Sequence, residues 1–143
     1  MGYILHIRDY DLRFNRTARD STDKEQIIAY VDASFCVHSD GKSQSGLVVR
    51  YYGGTIATKS TKQSMVSKSS TESELIALSD YYTWIMQLHE CLKELGIVTA
   101  VPVIHQDNES VIKLLTSRNF SHRTRYLKAR TLYVADESKD IRY

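Results

Sequence analysis

Ten consecutive residues, Gln26-Ile27-Ile28-Ala29-Tyr30-Val31-Asp32-Ala33-Ser34-Phe35, constrain this chain more than any other feature. The run is short, β-branched and apolar almost throughout, the pattern of a strand covered on both faces in an α/β sheet. Asp32 breaks it. Strand alternation puts Asp32 on the face of Ile28, Tyr30 and Ser34, opposite Ile27, Ala29, Val31, Ala33 and Phe35. A carboxylate buried in such a strand is costly unless it is paired, hydrogen-bonded or bound to a cation. With 42% hydrophobic and 25% charged residues among 143, the chain can build one ordinary core around that strand.

The elements that follow are legible from period and punctuation. Strands over Gly46–Tyr52 and Thr55–Ser60 flank Gly53-Gly54, a two-residue hairpin signal, and with the first strand they form an antiparallel meander. Ser69 with Glu72, or Thr71 with Glu74, fits a capping box. It opens a long helix whose Leu75, Leu78, Tyr82, Ile85, Leu88, Leu92 and Leu95 form one apolar stripe, stopped by Gly96. A strand over Val101–Gln106 leads to a short helix, Glu109–Leu115, capped by Asp107 or Asn108. A basic loop, Arg118–Arg125, precedes a third helix, Tyr126–Glu137, and the last residues open another strand. The order β-β-β-α-β-α-α-(β) predicts an α/β domain with a mixed sheet. Residues 1–24 have no clean period and read as the tail of an upstream unit plus a linker, with room for a short strand at Tyr3–Ile7.

Several function classes fall away. No apolar run approaches 18 residues, so no membrane span is expected, and the first residues form no signal-like apolar stretch. Cys36 and Cys91 lie far apart with no Cys-x-x-Cys pair, which predicts free thiols in a reducing compartment and no structural zinc. A net charge of +2 neither demands nor excludes a nucleic-acid partner.

Four acidic residues, at three places in the chain, fall where chemistry is done. Asp32 is in the first strand, Glu72 and Glu74 are in the first turn of the long helix, and Asp107 follows the fourth strand. Should that strand lie parallel to the first, Asp32 and Asp107 meet at the carboxyl edge where α/β sheets place ligands. Carboxylates without soft ligands suit Mg²⁺ or Mn²⁺, and two such ions clamp the attacking and leaving oxygens in phosphodiester hydrolysis. Plainer readings exist for each. A strand Asp is more often hydrogen-bonded or at an edge, an acidic first turn complements the helix dipole, and Asp-Asn after a strand makes a turn or cap.

Six segments occur together in order: Tyr30-Val31-Asp32-Ala33, Ser45-Gly46, Lys59-Ser60-Thr61-Lys62-Gln63, Ser67-Lys68-Ser69-Ser70-Thr71-Glu72-Ser73-Glu74-Leu75, Gln106-Asp107-Asn108-Glu109-Ser110 and Arg123-Thr124-Arg125. Jointly they resemble the ribonuclease H region of copia-type (Pseudoviridae) LTR retrotransposon polyproteins, from about Asp9 to the last residue. The resemblance implies a ribonuclease H-like fold, a five-stranded mixed sheet flanked by helices, over residues 25–143. Residues 1–24 would be the end of the preceding reverse-transcriptase connection. The implied activity is hydrolysis of the RNA strand of RNA–DNA hybrids with two Mg²⁺ ions, for which Mn²⁺ substitutes. By position, Asp32, Glu74 and Asp107 are the catalytic and metal-binding residues. Asp32 would bridge both ions, with Glu74 on the product side and Asp107 on the nucleophile side.

The implied partners are the hybrid and the reverse-transcriptase domain of the same polyprotein, with no membrane. The implied location is a cytoplasmic retroelement particle or the nucleus, not the secretory route. The family's fourth carboxylate, in an Ala-Asp-x-Leu-Thr-Lys-type helix start, has no match here; Asp136 and Asp140 are acids nearby but not motif matches. The last helix is therefore expected to be missing, the isolated chain to cleave poorly, and one sheet face to be partly exposed. The competing reading is an inactive remnant that binds nucleic acid or protein.

Lys62, Ser69, Ser70, Asn108, Arg123 and Arg125 are the expected nucleic-acid contacts. The serines, interleaved with Lys59, Lys62 and Lys68, suit ribose 2′-hydroxyls. The basic run Arg118, His122, Arg123, Arg125, Lys128 and Arg130 suits phosphates. His105, inside a strand, reads as structural rather than as a proton shuttle, and Trp84, Tyr81 and Tyr82 read as core and helix surface rather than base-stacking groups.

Overall fold

Seven residues of the apolar run form β1 (Ile28–Ser34), which pairs antiparallel with β2 (Gln44–Tyr51) on one side and parallel with β4 (Val103–His105) on the other. This is a computed structural model; it describes residues 26–98, 100–118, 125–137 and 141–142. The expectations for residues 1–24, including the strand at Tyr3–Ile7 and the linker boundary, lie outside the described residues, as do His122 and Arg123. The sheet order is β3-β2-β1-β4-β5, with β3 at Gly54–Lys62 and β5 at Ile141–Arg142. β5 is parallel to β4, so the sheet is mixed as expected. Four strands carry the sheet, and the fifth of the expectation is only this two-residue stub.

The β2–β3 turn falls one residue earlier than the Gly53-Gly54 signal. Tyr52 (φ 49°) and Gly53 (φ 74°) occupy it, while Gly54 already pairs with Tyr51. Two successive left-handed residues give the turn whose twist matches a right-twisted hairpin.

Helix α1 (Ser70–Glu94) starts at Ser69, whose hydroxyl accepts the Glu72 N–H at 3.1 Å, so the Ser69/Glu72 cap operates. It ends at Gly96 (φ 69°), where the Gly96 N–H reaches the Lys93 carbonyl and the Ile97 N–H reaches Leu92, each at 2.9 Å. That pair of bonds is a Schellman stop. Leu75, Leu78, Tyr82 and Ile85 are buried, but the stripe fades at Leu88 and Leu92, and Leu95 at the cap is exposed. Helix α2 (Glu109–Ser117) and helix α3 (Lys128–Glu137), the latter entered through a 3-10 turn at Arg125–Leu127, complete the layer.

All three helices pack on one sheet face. Ile27, Ala29, Val31, Leu47, Val49 and Ile104 meet Leu75, Leu78, Ile85, Val111, Leu115 and Val134 in one cluster. Beyond Ile28, which is buried, two-sided burial of β1 does not hold among the described residues. The opposite face shows Asp32, Ser34 and exposed Tyr30, Val48 and Ile56 at 40%, 38% and 37%. The expected exposure thus falls on this set, while Ile27 and Val31 are buried. Phe35 is exposed because β1 has already ended and the chain is turning there.

Candidate functional site

The parallel register pairs Tyr30 with His105, and their rings stack on the open face at 4.9 Å with 12° between planes. Two residues further along each chain come Asp32 and Asp107. The condition set by the sequence, that these strands run parallel, is met. His105 is half-buried, its ring against that of Tyr30.

Glu74 arrives from the first turns of α1, and a buried polar network fixes that helix end. Gln63 follows β3 and donates its Nε2 to the Ser45 hydroxyl at 2.9 Å and to the Ser73 carbonyl at 2.8 Å. Its own N–H donates to the Ser43 carbonyl at 2.8 Å, and the Ser43 and Ser67 hydroxyls meet at 2.7 Å. Tyr81 donates its hydroxyl to the Ser45 carbonyl at 3.1 Å. Helix α1 is thereby tied to β2 one residue from Gly46, the residue paired with Asp32. Glu72 turns away and accepts the Lys68 N–H, which leaves Glu74 as the helix carboxylate of the site.

One carboxylate oxygen from each of Asp32, Glu74 and Asp107 lies within 4.8 Å of the others. Asp32, expected to be buried in its apolar strand, is exposed, as is Asp107, while Glu74 is buried. Burial, together with the charges of Asp32 and Asp107, pushes the Glu74 carboxyl up to about 7, against the opposing hydrogen bonds from the Ala33 N–H and the Gln106 side chain. A hard, all-oxygen donor set in which one member resists ionising fits a divalent cation such as Mg²⁺ or Mn²⁺, because the cation offsets that repulsion.

Several of the expected nucleic-acid contacts are held by other parts of the fold. The Lys62 Nζ sits 2.9 Å from Asp40, whose carboxyl it holds below the ordinary value. Ser69 is the α1 cap, and the exposed Ser70 gives its carbonyl to the Ser73 hydroxyl at 2.7 Å. Asn108 caps α2, accepting the Ser110 and Val111 N–H groups at 3.0 and 3.2 Å. Arg125 is exposed at the 3-10 turn, and Arg123 lies outside the described residues. Within the basic run, Arg118 is held by Asp136 at 2.8 Å and Arg130 by Asp80 at 2.9 Å. Asp136 is thereby engaged away from the carboxylate cluster, and Asp140 lies outside the described residues. Lys59 covers the Trp84 ring at 4.6 Å, and Tyr81 and Tyr82 are buried, as read from the sequence.

Two glutamines, Gln63 and Gln106, carry more of the site than sequence reasoning assigned them. Both are almost fully buried. The available signal was a long amide side chain beside a motif acid or serine, which periodicity does not register.

No family model matches the chain. A Pol polyprotein from transposon TNT 1-94 of Nicotiana tabacum is 30% identical over 112 residues, covering 78% of this chain and 8% of that polyprotein. The truncated Ty1-A Gag-Pol polyprotein of Saccharomyces cerevisiae is 28% identical over 136 residues, covering 94% of this chain and 11% of that polyprotein. Among solved structures, LC11-RNase H1, isolated from compost, superposes with a TM-score of 0.59 at 17% identity, over 78% of this chain and 74% of that one. The chain is a homologue of retrotransposon Pol polyproteins and has the ribonuclease H fold. A prototype foamy virus protease-reverse transcriptase also matches, with a TM-score of 0.50 at 13% identity, over 89% of this chain and 17% of that one. The Pol homologue described here spans about a tenth of the length of the curated relatives it matches. Among its described residues no helix is long and apolar enough to cross a membrane.

Proposed function

We propose that this ribonuclease H-fold chain hydrolyses the RNA strand of RNA–DNA hybrids in a divalent-cation-dependent reaction, as one part of a retrotransposon Pol polyprotein that also carries reverse transcriptase. The observation that carries the reading is the convergence of Asp32, Glu74 and Asp107 from three separate elements onto one edge of the sheet. A structural neighbour, LC11-RNase H1, has been solved in complex with an RNA/DNA hybrid, which supports the substrate class.

Asp32, Glu74 and Asp107 would hold the cations, two Mg²⁺ ions by preference, which when bound stabilise the attacking and leaving oxygens of an in-line displacement at phosphorus. The exposed Asp32 and Asp107 face solvent, where a backbone phosphate can approach. Glu74, buried beside them, would hold a cation as its carboxylate, and a bound cation would offset the burial and repulsion that raise its pKa. The stacked Tyr30–His105 pair and the Gln63 network keep the three carboxylates at fixed separation. The working location is a cytoplasmic retroelement particle or the nucleus.

The test is cleavage of a hybrid with RNA and DNA strands labelled separately, in Mg²⁺ and in Mn²⁺. The RNA strand alone should be cut, and Asp32→Asn should remove the activity. Hybrid binding without any cleavage would move the chain to a binding role.

A further inference from the structure

Gln106 is a buried amide against the Glu74 carboxylate, one residue before Asp107. Its side chain is 1% exposed, so water cannot serve its polar atoms. The Oε1 accepts the Asn108 N–H at 3.0 Å, closing a short ring across the backbone of Asp107. The Nε2 donates to Oε2 of Glu74 at 3.4 Å. An apolar residue would fill this volume at lower desolvation cost, since a buried amide is tolerated only when its groups are hydrogen-bonded. The two ends of the amide do different things. The Oε1 end is a firm bond that sets the chain direction at Asp107, just before Asn108 caps α2. The Nε2 end is a long bond, leaving the Glu74 carboxylate held in direction with room to shift toward a ligand.

We infer that Gln106 is a positioning residue that couples Glu74 to Asp107, so that the helix carboxylate and the strand-end carboxylate present their oxygens to one cation together. This rests on reading the three carboxylates as a cation site. Gln106 touches neither cation nor substrate; it acts through Glu74 and through the backbone of Asp107. Asp32, on the neighbouring strand, is outside this coupling.

The experiment uses the full 143-residue chain and Mn²⁺ alone as the probe, by calorimetry at pH 7, with Gln106→Met as a variant of similar length lacking both hydrogen bonds. Loss of a hydrogen bond to a charged group should weaken Mn²⁺ binding about tenfold. Glu74→Ala alone should weaken it too, and Gln106→Met should cost less in the Glu74→Ala background than in the parent, because only its tie to the Asp107 backbone is left to lose. A merely structural role would give the same loss in both backgrounds. Mn²⁺ affinity of Gln106→Met within twofold of the parent, or equal losses with and without Glu74→Ala, overturns the inference. A second cycle, urea unfolding of the same four proteins without metal, reads the contact independently of any cation. There the two substitutions should be non-additive, and additivity overturns the coupling. A parent chain that binds no Mn²⁺ would sink the cation-site reading, while the unfolding cycle would still decide the Gln106–Glu74 contact.

Discussion

Asp32 and Asp107 each stand two residues beyond the paired Tyr30 and His105, on neighbouring parallel chains. That relation lets a single sheet register decide whether two acids 75 positions apart in sequence can share a ligand. A register slip of one residue would turn every side chain of β1 to the other face and send Asp32 into the core. The helix carboxylate must then come from the side, and the α1 cap with the Gln63 network delivers it.

The raised Glu74 carboxyl has a signed consequence for stability. The folded chain keeps a proton on Glu74 up to about pH 7, whereas the unfolded chain releases it near 4.5. Stability from this group is therefore complete below about pH 4.5 and falls as pH rises through 7. The metal-free Glu74→Gln protein should be more stable than the parent by about 1–3 kcal/mol at pH 8. The two should be equal at pH 4, and urea denaturation at both values checks it. Equal stability at pH 8 would mean that Glu74 ionises without penalty.

Asn108 is expected to act as a helix cap before it acts as a nucleic-acid contact. Asn108→Ala should cost about 1 kcal/mol, since two N–H groups of α2 lose their acceptor. Asn108→Asp should retain the cap. Thermal denaturation of both variants is the measurement; a silent Asn108→Ala would show that α2 does not depend on this cap.

Basic residues already held by acids should contribute less to hybrid affinity than those left exposed. Arg125→Ala should lower the slope of log affinity against log salt by about 0.7–1, the contribution of one phosphate contact. Arg118→Ala should change it little, because Arg118 is spent on Asp136. Fluorescence anisotropy with a labelled hybrid over a salt series separates them, and equal effects would argue against ion pairing as the discriminator.

Much of this architecture was legible because its signals are local. The helix start with Ser69 as one of two caps, the Gly96 stop and the meander follow from residues within a turn or two of one another. The burial of Asp32 was misjudged for a non-local reason. A strand reads as apolar on both faces when Ile28 and Tyr30 alternate with Ile27, Ala29 and Val31, yet which face receives the helices is decided by where α1 packs. Gln63 and Gln106 escaped because their partners lie 10 and 32 residues away, and hydrogen-bond geometry leaves no period in a sequence.

The central claim is that Asp32, Glu74 and Asp107 form one cation site, and the most direct test is an anomalous difference map from crystals soaked in Mn²⁺. A peak is expected within coordination distance of carboxylate oxygens from all three residues, and it should vanish in Asp32→Asn crystals. Mn²⁺ bound only elsewhere, or a peak at the cluster that survives Asp32→Asn unchanged, would contradict the account.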